Sequence, residues 1–205
     1  MISAKGVVFD CDGVLFESRQ ANLAYYNAIF EQCGFPLVSE DDPARVHVCH
    51  TAATPQVFAA LLNSRQAQQA LDVARGMDYR QFIPLMVLEP DLLEVLQTLH
   101  GKCPLAVATN RGHGVKELLT FFGLDEFFFT VVSSADVERP KPHPDMLLLA
   151  AERLGLQPRE LLFIGDSELD CQAAGEAGIP FVGYKNTFVG QPAINGHRDL
   201  LALMA

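Results

Sequence analysis

The sequence predicts an α/β chain: a parallel sheet with helices on both faces, interrupted early by an all-helical insertion. Three observations carry this. Runs such as Val7-Val8-Phe9, Leu105-Ala106-Val107-Ala108 and Leu161-Leu162-Phe163-Ile164 are apolar at every position, as strands buried on both faces require. Helical repeats separate these runs, and that alternation makes neighbouring strands parallel. From about Phe16 to Leu88 the alternation stops, and only helical spacing with short connections remains, which suggests a small bundle.

The first strand runs through Val7-Val8-Phe9 and ends in Asp10-Cys11-Asp12-Gly13. Side chains alternate along a strand, so Asp10 and Asp12 are expected on one side and Cys11 on the other. Two acids at a strand tip repel, and a cation beside them is the usual remedy. Ser18 is placed as the N-cap of a helix that carries Leu23, Tyr26 and Phe30 and stops at Cys33-Gly34. Asp41-Asp42-Pro43 and Thr54-Pro55 open two more helices, the second with Val57, Phe58, Leu61 and Leu62. A polar helix over Ser64–Arg75 and a helix over Tyr79–Met86 follow, and no strand is expected in this stretch. The expected division is a sheet core of residues 1–15 and 89–205 and a helical unit of residues 16–88.

Pro90-Asp91 then opens a helix that ends at Gly101, and Leu105–Ala108 is a strand stopped by Thr109-Asn110. A helix from Gly114 to Phe122, a β-rich run from Phe127 to Val132 ending in Ser133-Ser134, and a helix from Pro144 to Leu154 come next. The strand Leu161–Ile164 ends at Gly165-Asp166, a helix covers Glu168 to Ala177, and Ile179 to Val182 is expected as the final strand before a terminal helix over Asp199–Met204. In an open parallel sheet the ligand sits beyond the carboxyl ends of the strands. Those ends carry Asp10 and Asp12, Thr109 and Asn110, Ser133 and Ser134, and Asp166 and Ser167, so polar groups converge on one edge.

Composition narrows the partners. The 205 residues are 49% hydrophobic with a formal net charge of −10, so the chain buries a real core and offers no basic face to nucleic acid or an acidic membrane. No apolar run reaches membrane-spanning length and no signal-peptide pattern opens the chain. The five cysteines include no Cys-x-x-Cys pair, and free thiols fit a reducing, cytoplasmic setting. His47-Val48-Cys49-His50 lacks a second cluster to complete a tetrahedral zinc site.

Asp10 and Asp166 are hard oxygen donors of the kind Mg²⁺ takes together with water and phosphate. Thr109 offers a hydroxyl and an N–H to an anion. Lys141 lies in Arg139-Pro140-Lys141-Pro142-His143-Pro144, where three prolines restrict it just before a helix N-terminus. Taken singly, each of these is commonplace, including Asp170 as a first-turn acid. Their order, each at the correct end of an element, is specific.

These residues resemble the haloacid dehalogenase superfamily over the whole chain. Its four motifs match Asp10-Cys11-Asp12-Gly13, Thr109, Lys141 and Gly165-Asp166-Ser167-Glu168-Leu169-Asp170. The insertion after the first motif resembles the helical-cap subfamily, which includes phosphoglycolate phosphatase-like enzymes. The resemblance implies a Rossmann-like core and a Mg²⁺-dependent phosphatase of a small phosphorylated metabolite, with phosphoglycolate as a candidate. It implies Asp10 as the nucleophile forming an aspartyl-phosphate and Asp12 as acid and base. Metal ligands would be Asp10, the Asp12 carbonyl and Asp166, supported by Ser167 and Asp170. Thr109, Asn110 and Lys141 would bind the phosphoryl group. Val14 and Glu17 depart from the commoner pattern, and Glu17 lies near the cap hinge. The cap contains no lysine, so Arg45, His47 and His50, with Glu17, are the candidates for reading the rest of the substrate. The alternatives are a β-phosphoglucomutase-like mutase and a non-catalytic phosphate-dependent binding or regulatory protein.

Overall fold

The computed structural model describes residues 4–112 and 114–204, so the first three residues of the expected core lie outside the described residues. Six strands form one parallel sheet in the order β5-β4-β1-β6-β7-β8. They are β1 (Gly6–Phe9), β4 (Leu105–Thr109), β5 (Thr130–Ser133), β6 (Leu161–Gly165), β7 (Phe181–Tyr184) and β8 (Ala193–Ile194). The α/β reading of the sequence therefore holds.

The uniform apolarity of these strands has a plain cause. Val7, Phe9, Leu105, Val107, Leu162 and Ile164 face one hydrophobic layer, with Leu92, Val95, Leu96 and Leu118. Val8, Ala106, Ala108, Leu161 and Phe163 face the other, with Met146, Leu147, Ala173 and Ala174. Both faces are thus covered by helices: α5 (Leu92–His100) and α6 (Val115–Phe121) on the first, α7 (Asp145–Leu154) and α8 (Glu168–Ala177) on the second. The terminal helix α9 (His197–Met204) joins the first layer through Leu200.

The early helices are α1 (Arg19–Cys33), α2 (Pro43–Thr51), α3 (Thr54–Leu61) and α4 (Ser64–Gly76), followed by a 3₁₀ helix over Tyr79–Leu85. They have a core of their own, built from Leu23, Tyr26, Ile29, Phe30, Val57, Phe58 and Ala70. Asp42 caps α2 by accepting from the Arg45 N–H at 3.2 Å, and Asn63 caps α4 by accepting from the Gln66 N–H at 3.0 Å.

Several expectations are corrected. The insertion is bracketed by two short strands, β2 (Phe16–Glu17) and β3 (Val87–Leu88), which pair antiparallel. Two residues per strand are too few to show a period of two. The helix expected over Tyr79–Met86 is a 3₁₀ helix over Tyr79–Leu85, with Pro84 inside it unable to donate to an α-helical ladder. Phe127 closes a short 3₁₀ turn, so β5 starts only at Thr130. Pro180 precedes β7, which runs from Phe181, and β8 rather than Ile179–Val182 is the last strand. Ser18 occupies the N-cap position of α1, but its hydroxyl makes no capping bond and is used elsewhere.

Candidate active site

Beyond the carboxyl ends of β1, β4 and β6 lies a cavity of about 420 Å³, walled on its far side by the helical insertion. Asp10, Asp12, Thr109, Asn110, Lys141, Asp166, Ser167 and His50 all line it. Asp10 follows β1 directly, and its N–H donates to the Ile164 carbonyl at 2.8 Å. Cys11 turns into the core, so Asp10 and Asp12 both face the cavity across a tight turn.

Lys141 is the centre of the site. Its ammonium donates to Asp10 Oδ1 at 2.7 Å, Asp170 Oδ1 at 2.6 Å and the Ala108 carbonyl at 3.0 Å. An ammonium has three N–H bonds, so these contacts use them all. The side chain is 2% exposed, and its carboxylate partners hold its pKa up against the desolvation that would lower it. Asp170 is saturated in turn: its other oxygen accepts from the Ser167 N–H at 3.1 Å and the Ser167 hydroxyl at 2.5 Å. Lys141 therefore acts here as a clamp on the acids, with the phosphoryl-binding N–H groups expected of it already engaged.

Asp10, Asp166 and Asp170 have carboxylate oxygens within 4.8 Å of one another, the one such group of potential metal ligands among the described residues. His47, Cys49 and His50 form no such set. Burial raises the Asp10 pKa to about 7, with Asp170 and Asp12 adding to the rise and Lys141 opposing it. Burial likewise raises Asp166 to about 9, helped by Asp170 and Asp10. One ammonium among three close acids leaves excess negative charge. With Lys141 spent on Asp10 and Asp170, the Asp166 carboxylate has no hydrogen-bond donor among the described residues. A hard divalent cation fits this oxygen set. Gly13 makes room for it: its φ is +79°, and a Cβ there would collide with the Asp166 carboxylate. The Asp166 backbone carbonyl is fixed by Asn186 Nδ2 at 2.5 Å.

Asp12 has a different environment. It accepts from the Ser18 hydroxyl, from Asn22 Nδ2 at 3.1 Å and from Arg111 Nη2, in a buried ion pair with that guanidinium. Burial pushes its pKa up, but Arg111, His50 and Ser18 outweigh it and leave the group below its usual range. Two neighbouring carboxylates are thus driven in opposite directions: with no metal bound, Asp12 is favoured as the carboxylate and burial favours the protonated form of Asp10.

Thr109 is buried, and its hydroxyl accepts from the Arg111 N–H at 3.1 Å. Asn110 donates to the Thr51 carbonyl and to the Lys141 carbonyl, both at 3.0 Å, so it ties the insertion to the sheet. His50 is buried with Nδ1 3.4 Å from Asn22 Nδ2; its Nε2 has no hydrogen-bond partner among the described residues and stands 3.9 Å from Asp166 Oδ2. Burial lowers its pKa. The other insertion candidates do not line the cavity. Glu17 is exposed and accepts from the Arg19 N–H at 3.0 Å. His47 is exposed and pairs with Glu168 at 2.6 Å. Arg45 is half-buried away from the site.

The sequence reading missed four residues of the site: Asn22, Tyr79 and Arg111, which line the cavity, and Ser18, whose hydroxyl holds Asp12. Asn22 lies one turn past Ser18 on α1, which is the available signal. Tyr79 and Arg111 carried none, because their meeting depends on how the insertion folds back.

The arrangement defines a class: a parallel α/β sheet whose first strand ends in paired carboxylates beside an oxygen cluster that fits a divalent cation. The chain matches the family described as haloacid dehalogenase-like hydrolase over residues 7–184, and it belongs to that family. It is 44% identical to phosphoglycolate phosphatase from Escherichia coli strain K12, over 87% of this chain and 80% of that protein. It is 28% identical to the fructose-1-phosphate phosphatase YqaB of the same organism, over 86% of this chain and 94% of that protein. A solved HAD-superfamily hydrolase of subfamily IA from Geobacter sulfurreducens superposes with a TM-score of 0.86 at 40% identity, covering 98% of this chain and 99% of the other. Family and relatives together make this chain a phosphatase.

Proposed function

We propose that the protein is a Mg²⁺-dependent phosphatase of small organic phosphate monoesters, with phosphoglycolate as the first candidate. Lys141 holding Asp10 and Asp170 together in the buried wall of the cavity supports this best. It fixes one oxygen of Asp10 while the other accepts no hydrogen bond from the described residues. Asp10 attacks phosphorus, the ester P–O bond breaks, and an aspartyl-phosphate forms. Asp12, ionised beside Arg111, takes the proton of a monoanionic ester and delivers it to the leaving oxygen. It then takes one from water as that water attacks phosphorus and the bond to Asp10 breaks. Thr109 faces the transferring oxygens at the end of β4.

Asp10, Asp166 and the Asp12 carbonyl would hold the metal, which when bound offsets charge on the phosphoryl oxygens. Ser167 and Asp170 hold that edge rigid. Residues 16–88 act as a cap that shuts water out of the cavity, with Asn110 to Thr51, His47 to Glu168 and Arg111 to Asn22 among its contacts with the core. The test is hydrolysis of p-nitrophenyl phosphate with Mg²⁺ and with EDTA. Turnover that EDTA abolishes and Mg²⁺ restores is expected; metal-independent turnover, or none, rejects the reading.

A further inference from the structure

We propose that Arg111 is the receptor for a carboxylate on the substrate, so that preferred esters carry a carboxylate within a few bonds of the phosphorylated oxygen. This rests on the phosphatase reading of the site. Three Lys or Arg side chains line the cavity. Arg75 is 71% exposed and paired with Asp72, and Lys141 has spent its N–H bonds on the protein. Arg111 is left, with a side chain 5% exposed.

Its guanidinium is held on three sides. Nη2 donates to Asp12 Oδ1 and, at 3.0 Å, to Asn22 Oδ1. Tyr79 covers one face, 4.6 Å from the ring centroid. Its Nε–H is buried and, among the described residues, has no acceptor. A buried N–H without a partner is costly; both Nη2 hydrogens are given to Asp12 and Asn22, so an incoming carboxylate takes a single charged bond from the rest of the guanidinium rather than a two-bond edge. Arg111 also touches Asp12, which stands at the leaving oxygen, so an anion on the same guanidinium lies close to the ester. Asp10, Asp12, Asp166 and Asp170 crowd this space, and that field favours a single charge over the double charge of a second phosphoryl group.

The test compares kcat/KM for 2-phosphoglycolate, ethyl phosphate and ethane-1,2-diol bisphosphate in wild type, Arg111→Gln and Arg111→Lys. Wild type should favour phosphoglycolate over ethyl phosphate by about 10²-fold, the scale of a charged hydrogen bond to a buried partner. Arg111→Gln should cut that ratio at least tenfold, and Arg111→Lys should restore part of it, having the charge without the planar group that Tyr79 covers. A merely structural arginine would slow both esters alike and leave the ratio where it was, which overturns the proposal. If Arg111→Gln does not fold, the ratio in Arg111→Lys decides: a ratio equal to wild type overturns it. Preference for the bisphosphate overturns the carboxylate assignment. No turnover of any ester overturns the phosphatase reading with it, whereas turnover with an unchanged ratio removes only Arg111.

Discussion

Replacing Lys141 with Met tests the charge arrangement most directly. The methionine matches the lysine stem but leaves Asp10 and Asp170 facing each other, and both are buried. Removing one partner of a buried ion pair costs about 3–5 kcal/mol. A domain of this size loses roughly 2–4 °C of Tm per kcal/mol, so the fall is roughly 6–20 °C. The pH dependence has a definite sign. The folded pKa of Lys141 is raised, so its contribution is complete below about pH 10 and fades only in alkali. In the variant, Asp10 loses the one neighbour that lowers its pKa and moves above about 7, so at pH 5 it is protonated and the repulsion is relieved. The Tm deficit should therefore be large at pH 8 and small at pH 5, read by circular dichroism melts. Turnover of p-nitrophenyl phosphate at pH 7.5 should fall at least about 10²-fold. A deficit below 2 °C at pH 8 together with activity within threefold of wild type (both roughly the error of such measurements) would refute the reasoning.

Other perturbations are simpler. Asp10→Asn should abolish turnover with the fold intact by circular dichroism, and retained activity removes Asp10 as nucleophile. Asp12→Asn should slow both phosphoryl transfer and hydrolysis of the intermediate, measured by rapid quench; unchanged rates reject its acid/base role. Gly13→Ala strains a backbone at φ +79° and pushes on the Asp166 carboxylate. The Mg²⁺ concentration for half-maximal activity should rise at least about tenfold, the scale of a lost metal-site contact; an unchanged value rejects the close fit. Asp10 and Asp166 have folded pKa values above their unfolded ones, so metal-free stability falls as pH rises from about 4 towards 7 and 9. Added Mg²⁺ at a hundred times its Kd contributes about 2.7 kcal/mol. The Tm gain should be clear at pH 8 and near zero at pH 5, where protons compete; equal gains would count against the acidic cluster as the metal site.

Much of the scaffold was legible because burial on both faces leaves a strand no polar position, and because each sheet edge residue sits at a predictable end. Asp10, Thr109 and Asp166 could be placed from that rule, whereas Lys141 stood out only through the prolines around it and the family resemblance. What was hidden depends on tertiary contacts. Ser18 reads as a helix cap, yet Asp12 takes its hydroxyl. Arg45, His47 and His50 are neighbours in sequence, but α2 turns only His50 inward and leaves His47 on Glu168. Arg111 follows a recognisable strand end, and nothing local says that Tyr79 and Asn22, from a different stretch of chain, will hold its guanidinium.

The ladder of β2 and β3 sets Phe16 opposite Leu88, and the Glu89 N–H returns to the Leu15 carbonyl at 3.0 Å. From the sheet's side, the whole intervening bundle is one hairpin loop. Closing a longer or shorter loop at that point changes the entropy only logarithmically. Evolution, or an engineer, can therefore exchange the bundle for another with adjacent ends and retune selectivity without touching the strand that leads to Asp10.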